Sequence, residues 1–133
     1  MKTLILILGD QLSESISSLQ GYNSDTDIIL MCEVWDEATY VKHHKKKIAF
    51  LFSAMRHFTK KLNKKGYKVE YTKLNNPDNA ESFKGEVKRI VKKHALDRII
   101  VTHPGEYRVL ADIRSLEDEF NIPVEIRDDD RFL

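Results

Sequence analysis

An α/β fold, a three-layer sandwich around a five-stranded parallel sheet, is predicted by three observations. Five apolar bursts rich in Ile and Val recur at Thr3–Leu8, Asp27–Cys32, Lys68–Thr72, Arg98–Thr102 and Pro123–Ile126. The segments between them carry helical rather than alternating periodicity. The bursts "LILIL" and "DIILM" are continuous, as central strands buried on both faces of a parallel sheet are. Strands alternating with helices of this length imply right-handed crossovers and a Rossmann-like or flavodoxin-like layering.

Each element has its own justification. The first burst breaks at Gly9 into Asp10 and Gln11. The stretch Ser13–Gln20 is weakly patterned and suggests a short first helix, which Asp10 of "DQLS" would cap. In the longest helical segment Ile48, Leu51, Phe52, Met55, Phe58 and Leu62 keep to one stripe. Arg56, Lys60 and Lys64 run at i, i+4, i+8 on another face, and Gly66 follows as a stop. Phe83, Val87, Ile90 and Val91 make a second stripe, opened by Pro77-Asp78, and Leu110, Ile113, Leu116 and Phe120 a third. No repeat, linker or low-complexity run interrupts residues 1–133, which read as one domain large enough to bury a sizeable core.

Composition narrows the function classes. The net charge of +1 gives no global bias toward nucleic acid or anionic membranes. Charge is nevertheless unevenly distributed: from Lys42 to Lys68 there are ten Lys/Arg and no acid, whereas Glu106 to Leu133 holds nine acids against four Arg. The basic stretch is either an anion footprint or a solvated helix face. A single cysteine, Cys32, excludes an internal disulfide and a cysteine-ligated zinc or iron–sulfur site within these residues, and reads as a buried strand-end residue. The lone cysteine suits a reducing cytosol, and residues 4–8 are too short for a secretory signal. No segment approaches the roughly 18 apolar residues of a membrane span, so the expectation is a cytoplasmic protein with no membrane partner.

Open α/β sheets bind ligands beyond the carboxyl ends of their strands, where strand order reverses. The residues directly after strands are therefore the candidates: Gly9, Asp10, Gln11 and Leu12, then Glu33, Trp35, Glu37 and Tyr40, then His103, Gly105 and Glu106. Neither G-x-G-x-x-G nor a P-loop can be written, so dinucleotide or triphosphate binding in the common mode is not expected. Asp10, Glu33, Glu37 and Glu106 are compatible with a divalent metal, with a polar organic ligand, or with turn and cap duty. Trp35 either lids the core or stacks on a planar ligand. "KHHKKK", residues 42 to 47, either holds an anion at the entrance of the long helix or is solvated. His43 and His44, about 100° apart on a helix, are poorly arranged to share a metal.

Five stretches in order, "LILGDQLS", "CEVWDEATYVKHHKKKIAFLFSAMRHF", "GYKVEYTKL", "VTHPGEYRVL" and "IPVEIRDDDRFL", resemble the N-terminal domain of deoxyribodipyrimidine photolyase-related proteins. This is the branch of bacterial iron–sulfur cryptochromes and photolyases. The resemblance implies a light-harvesting antenna domain binding a pigment, typically 6,7-dimethyl-8-ribityllumazine. It implies a helical C-terminal domain holding FAD and a four-cysteine iron–sulfur (4Fe-4S) cluster, and light-driven DNA repair or blue-light sensing by the intact protein. On this reading Gly9, Asp10, Gln11 and Leu12 lie against the pigment. Glu37 is its main polar partner, with Trp35 and Tyr40 close by, and Glu33 and Glu106 join the pigment-binding set from their places directly after strands. The chain ends at Leu133, near where the family's linker to the flavin domain begins. The expectation is thus a domain without catalysis of its own, whose partners are the pigment and the flavin domain, meeting DNA only through the intact protein. Two other classes stay open from the residues alone: a stand-alone nucleotide-binding or stress-type α/β module, and a metal-dependent hydrolase using Asp10, Glu33 and Glu37.

Overall fold

The computed structural model describes residues 2–34, 45–80, 82–104 and 107–129. Five strands form one sheet: β1 (Thr3–Leu6), β2 (Asp27–Cys32), β3 (Val69–Thr72), β4 (Arg98–Thr102) and β5 (Val124–Arg127). Three helices connect the later strands: α1 (Lys45–Lys64), α2 (Phe83–His94) and α3 (Tyr107–Phe120). The sheet order is β3-β2-β1-β4-β5 and every pairing is parallel. The chain winds outward from β1 to β3, returns across the sheet, and winds outward again through β4 and β5. The reversal falls between β1 and β4, which pair from Thr3↔Arg98 to Leu6↔Val101.

Strand alternation sorts the core into two layers. On one face Leu4, Leu6, Leu30, Ile99 and Val101 meet Phe83, Val87 and Ile90 of α2 and Ile113 and Leu116 of α3. On the other, Ile5, Ile7, Ile29, Met31 and Ile100 meet Phe52, Met55, Phe58 and Leu62 of α1, with Ile16 and Leu19 completing the cover. Cys32 is buried at the end of β2, as expected.

Boundaries depart from expectation where side chains compete for the backbone. The segment expected as a first helix forms only a 3-10 turn, Ser17–Leu19, and no side chain caps it. Its serines bond locally instead: Ser13 Oγ accepts from the Ser15 amide and lies 2.8 Å from Ser15 Oγ. The second helix opens at Ser82, whose hydroxyl accepts from the Gly85 amide at 3.0 Å, and not at Pro77-Asp78. Residues around Pro77 are held in turns, with Asn76 Oδ1 accepting from the Asp78 amide. Gly66 does stop α1: its φ of +90° is open to glycine without strain, and it lets the Tyr67 amide turn back to Leu62 O.

Candidate functional site

The crest of the sheet is built around two buried polar side chains. Gln11, 1% exposed, lies just beyond β1. Its Oε1 accepts from the Leu8 amide at 3.2 Å, and its Nε2 donates to Thr102 O at 2.9 Å. The amide thus ties the exits of β1 and β4 together at the reversal point. Thr102 Oγ1 in turn accepts from the Ser18 amide and bonds Ser17 Oγ. Arg127, at the end of β5, donates Nη1 to the carbonyls of Ser17 and Gln20. The connection after β1 is therefore stitched to the ends of β4 and β5.

Glu33 occupies the equivalent place beyond β2, fully buried. Arg56 of α1 donates Nε and Nη2 to its two oxygens at 2.6 and 2.8 Å. The Tyr71 hydroxyl donates at 2.5 Å and the Leu74 amide at 3.0 Å. Asn79 Nδ2 donates to the Glu33 carbonyl at 2.8 Å. Burial pushes the Glu33 carboxyl upward, but the hydrogen bonds from Arg56, Tyr71 and the Leu74 amide together outweigh it and hold the group below the usual carboxylate range. Burial first, then the Glu33 carboxylate, raises Tyr71 far above its ordinary value.

A second buried carboxylate braces the same region. Glu86 of α2 receives Arg89 through Nε and Nη2 and accepts from the Ala80 amide at 3.0 Å. Arg89 also reaches Thr72 Oγ1 at 2.9 Å. Leu74, Asn79 and Ala80, on the connection from β3 to α2, are thereby fixed to Glu33 and Glu86.

Of the sequence candidates, Gly9 is buried, Leu12 half-buried and Asp10 exposed at the crest. Gln11 and Glu33 reach the crest, but the polar atoms of both side chains bond within the protein. Trp35, Glu37, Tyr40, Gly105 and Glu106 lie outside the described residues, as do His43 and His44. Among the described residues no three His, Cys, Asp or Glu side chains group to hold a metal ion, and no helix is long and apolar enough to cross a membrane. Sequence reasoning placed Arg56 with Lys60 and Lys64 on a face apart from the apolar stripe and passed over Tyr71, Asn79, Thr102 and Arg127. The alternation of "VEYT", which puts Tyr71 on the α1 side with Val69, was the one available signal for this cluster.

The family model for deoxyribodipyrimidine photo-lyase-related proteins matches residues 5–133. The chain belongs to the photolyase-related family. Among curated relatives, a (6-4) photolyase of Agrobacterium fabrum (strain C58 / ATCC 33970) is 54% identical over 133 residues, all of this chain. The match spans only 26% of that relative, so the photolyase-related chain corresponds to about a quarter of its length. In this photolyase-related sheet the reversal point falls between the strand ends joined by Gln11.

Proposed function

We propose that this chain is the N-terminal, pigment-binding antenna domain of a photolyase-related flavoprotein that repairs DNA or senses blue light. The observation that carries the reading is the crest at the β1–β4 reversal, the place where open α/β sheets take ligands, in a chain whose relative is a (6-4) photolyase almost four times as long. The domain has no catalytic group of its own on this reading.

The described residues fit 6,7-dimethyl-8-ribityllumazine chemically. Asp10 brings an exposed acceptor to the crest, suited to ring N–H or ribityl hydroxyl donors. Gly9 beside it has no side chain to obstruct a flat ring. Gln11 and Glu33 serve as supports: each fixes a strand exit from which ligand-facing residues depart. Glu37, Trp35, Tyr40 and Glu106 complete the proposed set. When bound, the pigment supplies light absorption and passes excitation energy on to a flavin. A 4Fe-4S cluster does not fit here, since one buried cysteine provides no cluster ligand set, and FAD is assigned elsewhere by the family resemblance. On this reading both belong to the C-terminal flavin domain, and a DNA lesion is repaired only by the intact protein.

The test is titration of the purified chain with the lumazine, followed by fluorescence anisotropy. Saturable binding that weakens at least tenfold in Asp10→Ala is expected. Absence of saturable binding, both in titration and after co-expression with a lumazine-producing pathway, would remove the reading.

A further inference from the structure

The outer face of α1 carries a line of cations headed by an open aromatic ring. At 3.6 residues per turn, Phe50, Ser53, His57, Lys60 and Lys64 fall along one side of the helix, and all five are exposed. Phe50 is 77% exposed, the one large apolar side chain so open among the described residues. Phe52, Met55, Phe58 and Leu62 already seat the helix on the sheet, so the core does not need this face.

Among the described residues the charge on that face is only partly compensated. Lys61 and Lys65 flank the line and share one carboxylate, Glu14. No ion pair forms to Lys60 or Lys64 among the described residues. An exposed helix whose lysines serve solubility alone commonly interleaves acids one turn away. Here no Asp or Glu occurs from Lys42 to Lys68, and Lys60 and Lys64 repel across one turn. The helix C-terminus favours cations in its last turn, which accounts for Lys61 and Lys64 but not for Lys60, nor for the exposed ring.

We propose that this face of α1 docks the phosphodiester backbone of a nucleic acid. Lys60, Lys64 and the net charge left by Lys61 and Lys65 neutralise phosphates, and Phe50 stacks on a base where the strand is single. Cations in line with an exposed ring are the recipe of sequence-tolerant single-strand binding. The alternative partner, an acidic protein surface, has less in its favour. Protein interfaces are depleted in lysine, whereas this face is lined with it. The inference is independent of the pigment reading.

The experiment is fluorescence anisotropy of the 133-residue chain with a labelled 20-nucleotide single strand and with its duplex, between 50 and 200 mM NaCl. Saturable binding to both is expected, weakening across that range about 40-fold for the duplex and about 20-fold for the single strand, as neutralising roughly three phosphates requires. Lys60→Glu/Lys64→Glu, with circular dichroism reporting an unchanged fold, should lose at least tenfold in affinity and flatten the salt slope by about two. Phe50→Ala should weaken single-strand binding by roughly fivefold and leave the duplex untouched. Absence of binding at 50 mM NaCl, or affinity indifferent to the lysine reversals, would overturn the proposal. So would competition by poly-glutamate of matched charge as effective as by unlabelled oligonucleotide, which would assign the face to acidic proteins. Single-strand affinity unchanged in Phe50→Ala would overturn the part given to the ring.

Discussion

Arg56 grips both oxygens of Glu33 across the interface between α1 and the exit of β2, at 2.6 and 2.8 Å. The Glu33 side chain is wholly buried while that of Arg56 is 48% exposed. The asymmetry sets the consequence of losing either partner. Without Arg56 a buried carboxylate keeps, among the described residues, the Tyr71 hydroxyl and the Leu74 amide.

Arg56→Ala should therefore destabilise the domain by about 2 kcal/mol, less than for a fully buried pair because water already reaches the guanidinium. In thermal unfolding that is a fall of about 8 °C in Tm for a domain of this size. Arg56→Lys, which keeps the charge but not the fork, should recover only part of it. A Tm within 1 °C of the parent in Arg56→Ala would refute the assignment.

Stability should also fall in acid. Glu33 and Glu86 both sit below their ordinary value of 4.5: burial raises each, and the hydrogen bonds from Arg56 and Arg89 with their neighbours overcome it. The folded state thus holds these protons less tightly than the unfolded state. The stabilisation is complete above the ordinary carboxylate range and is lost as pH falls through the depressed folded values. Urea melts from pH 7 to 3 should show a plateau down to about pH 5 and a steep decline below it. Glu33→Gln should be less stable at neutral pH and have a shallower decline.

Gln11→Ala removes the bridge between the Leu8 amide and Thr102 O. A loss of about 2 kcal/mol is expected, because a buried donor and a buried acceptor each lose a partner. Hydrogen exchange should quicken at Leu8 and Ser18, next to the broken bridge, more than at Ile29 in the middle of β2. Uniform quickening across the sheet would mean that Gln11 contributes only to global stability.

Gly85 tests packing rather than polarity. A Cβ there would lie 2.7 Å from Ala80 Cβ and 3.0 Å from Ser82 Oγ. Gly85→Ala should destabilise by about 1 kcal/mol despite the better helix propensity of alanine. Ala80→Gly in the same chain opens the space and should reverse the sign of the Gly85→Ala effect. Denaturant midpoints of the four chains in this cycle decide it.

Ser18 offers the opposite sign. Its hydroxyl is buried with no hydrogen-bond partner among the described residues. Ser18→Ala should stabilise by up to about 1 kcal/mol, since it removes a desolvated polar atom and disturbs no bond. Destabilisation in the melt would mean that the hydroxyl has a partner, such as an internal water.

Much of this was legible in the sequence because periodicity reports burial. The stripe from Phe52 to Leu62 and the runs around Ile5 and Ile29 name the buried residues of one face almost completely. Turn chemistry was legible at Gly66 and misread at Ser13 and Pro77, where side-chain bonds to nearby amides replaced the expected helical turns. The candidate site was legible as a location and not as a set of roles. Gln11 and Glu33 stand just beyond strand ends, as polar ligand-binding residues do, yet their partners come from Thr102, Arg56 and Tyr71. Such partners are brought close by tertiary placement, and neither spacing nor propensity announces them.

The place of β1 at the centre of the sheet bears on how the molecule is made. Thr3 pairs with Asp27 on one side and with Arg98 on the other. On a translating ribosome this central strand is made before the strands that flank it and then waits, one flank bare, until β4 has emerged. Pairings so distant along the chain are slow to close, and an unpaired apolar flank is where neighbouring nascent molecules stick to one another. Slower synthesis at low temperature, or a holdase that masks "LILIL", should therefore raise the soluble yield.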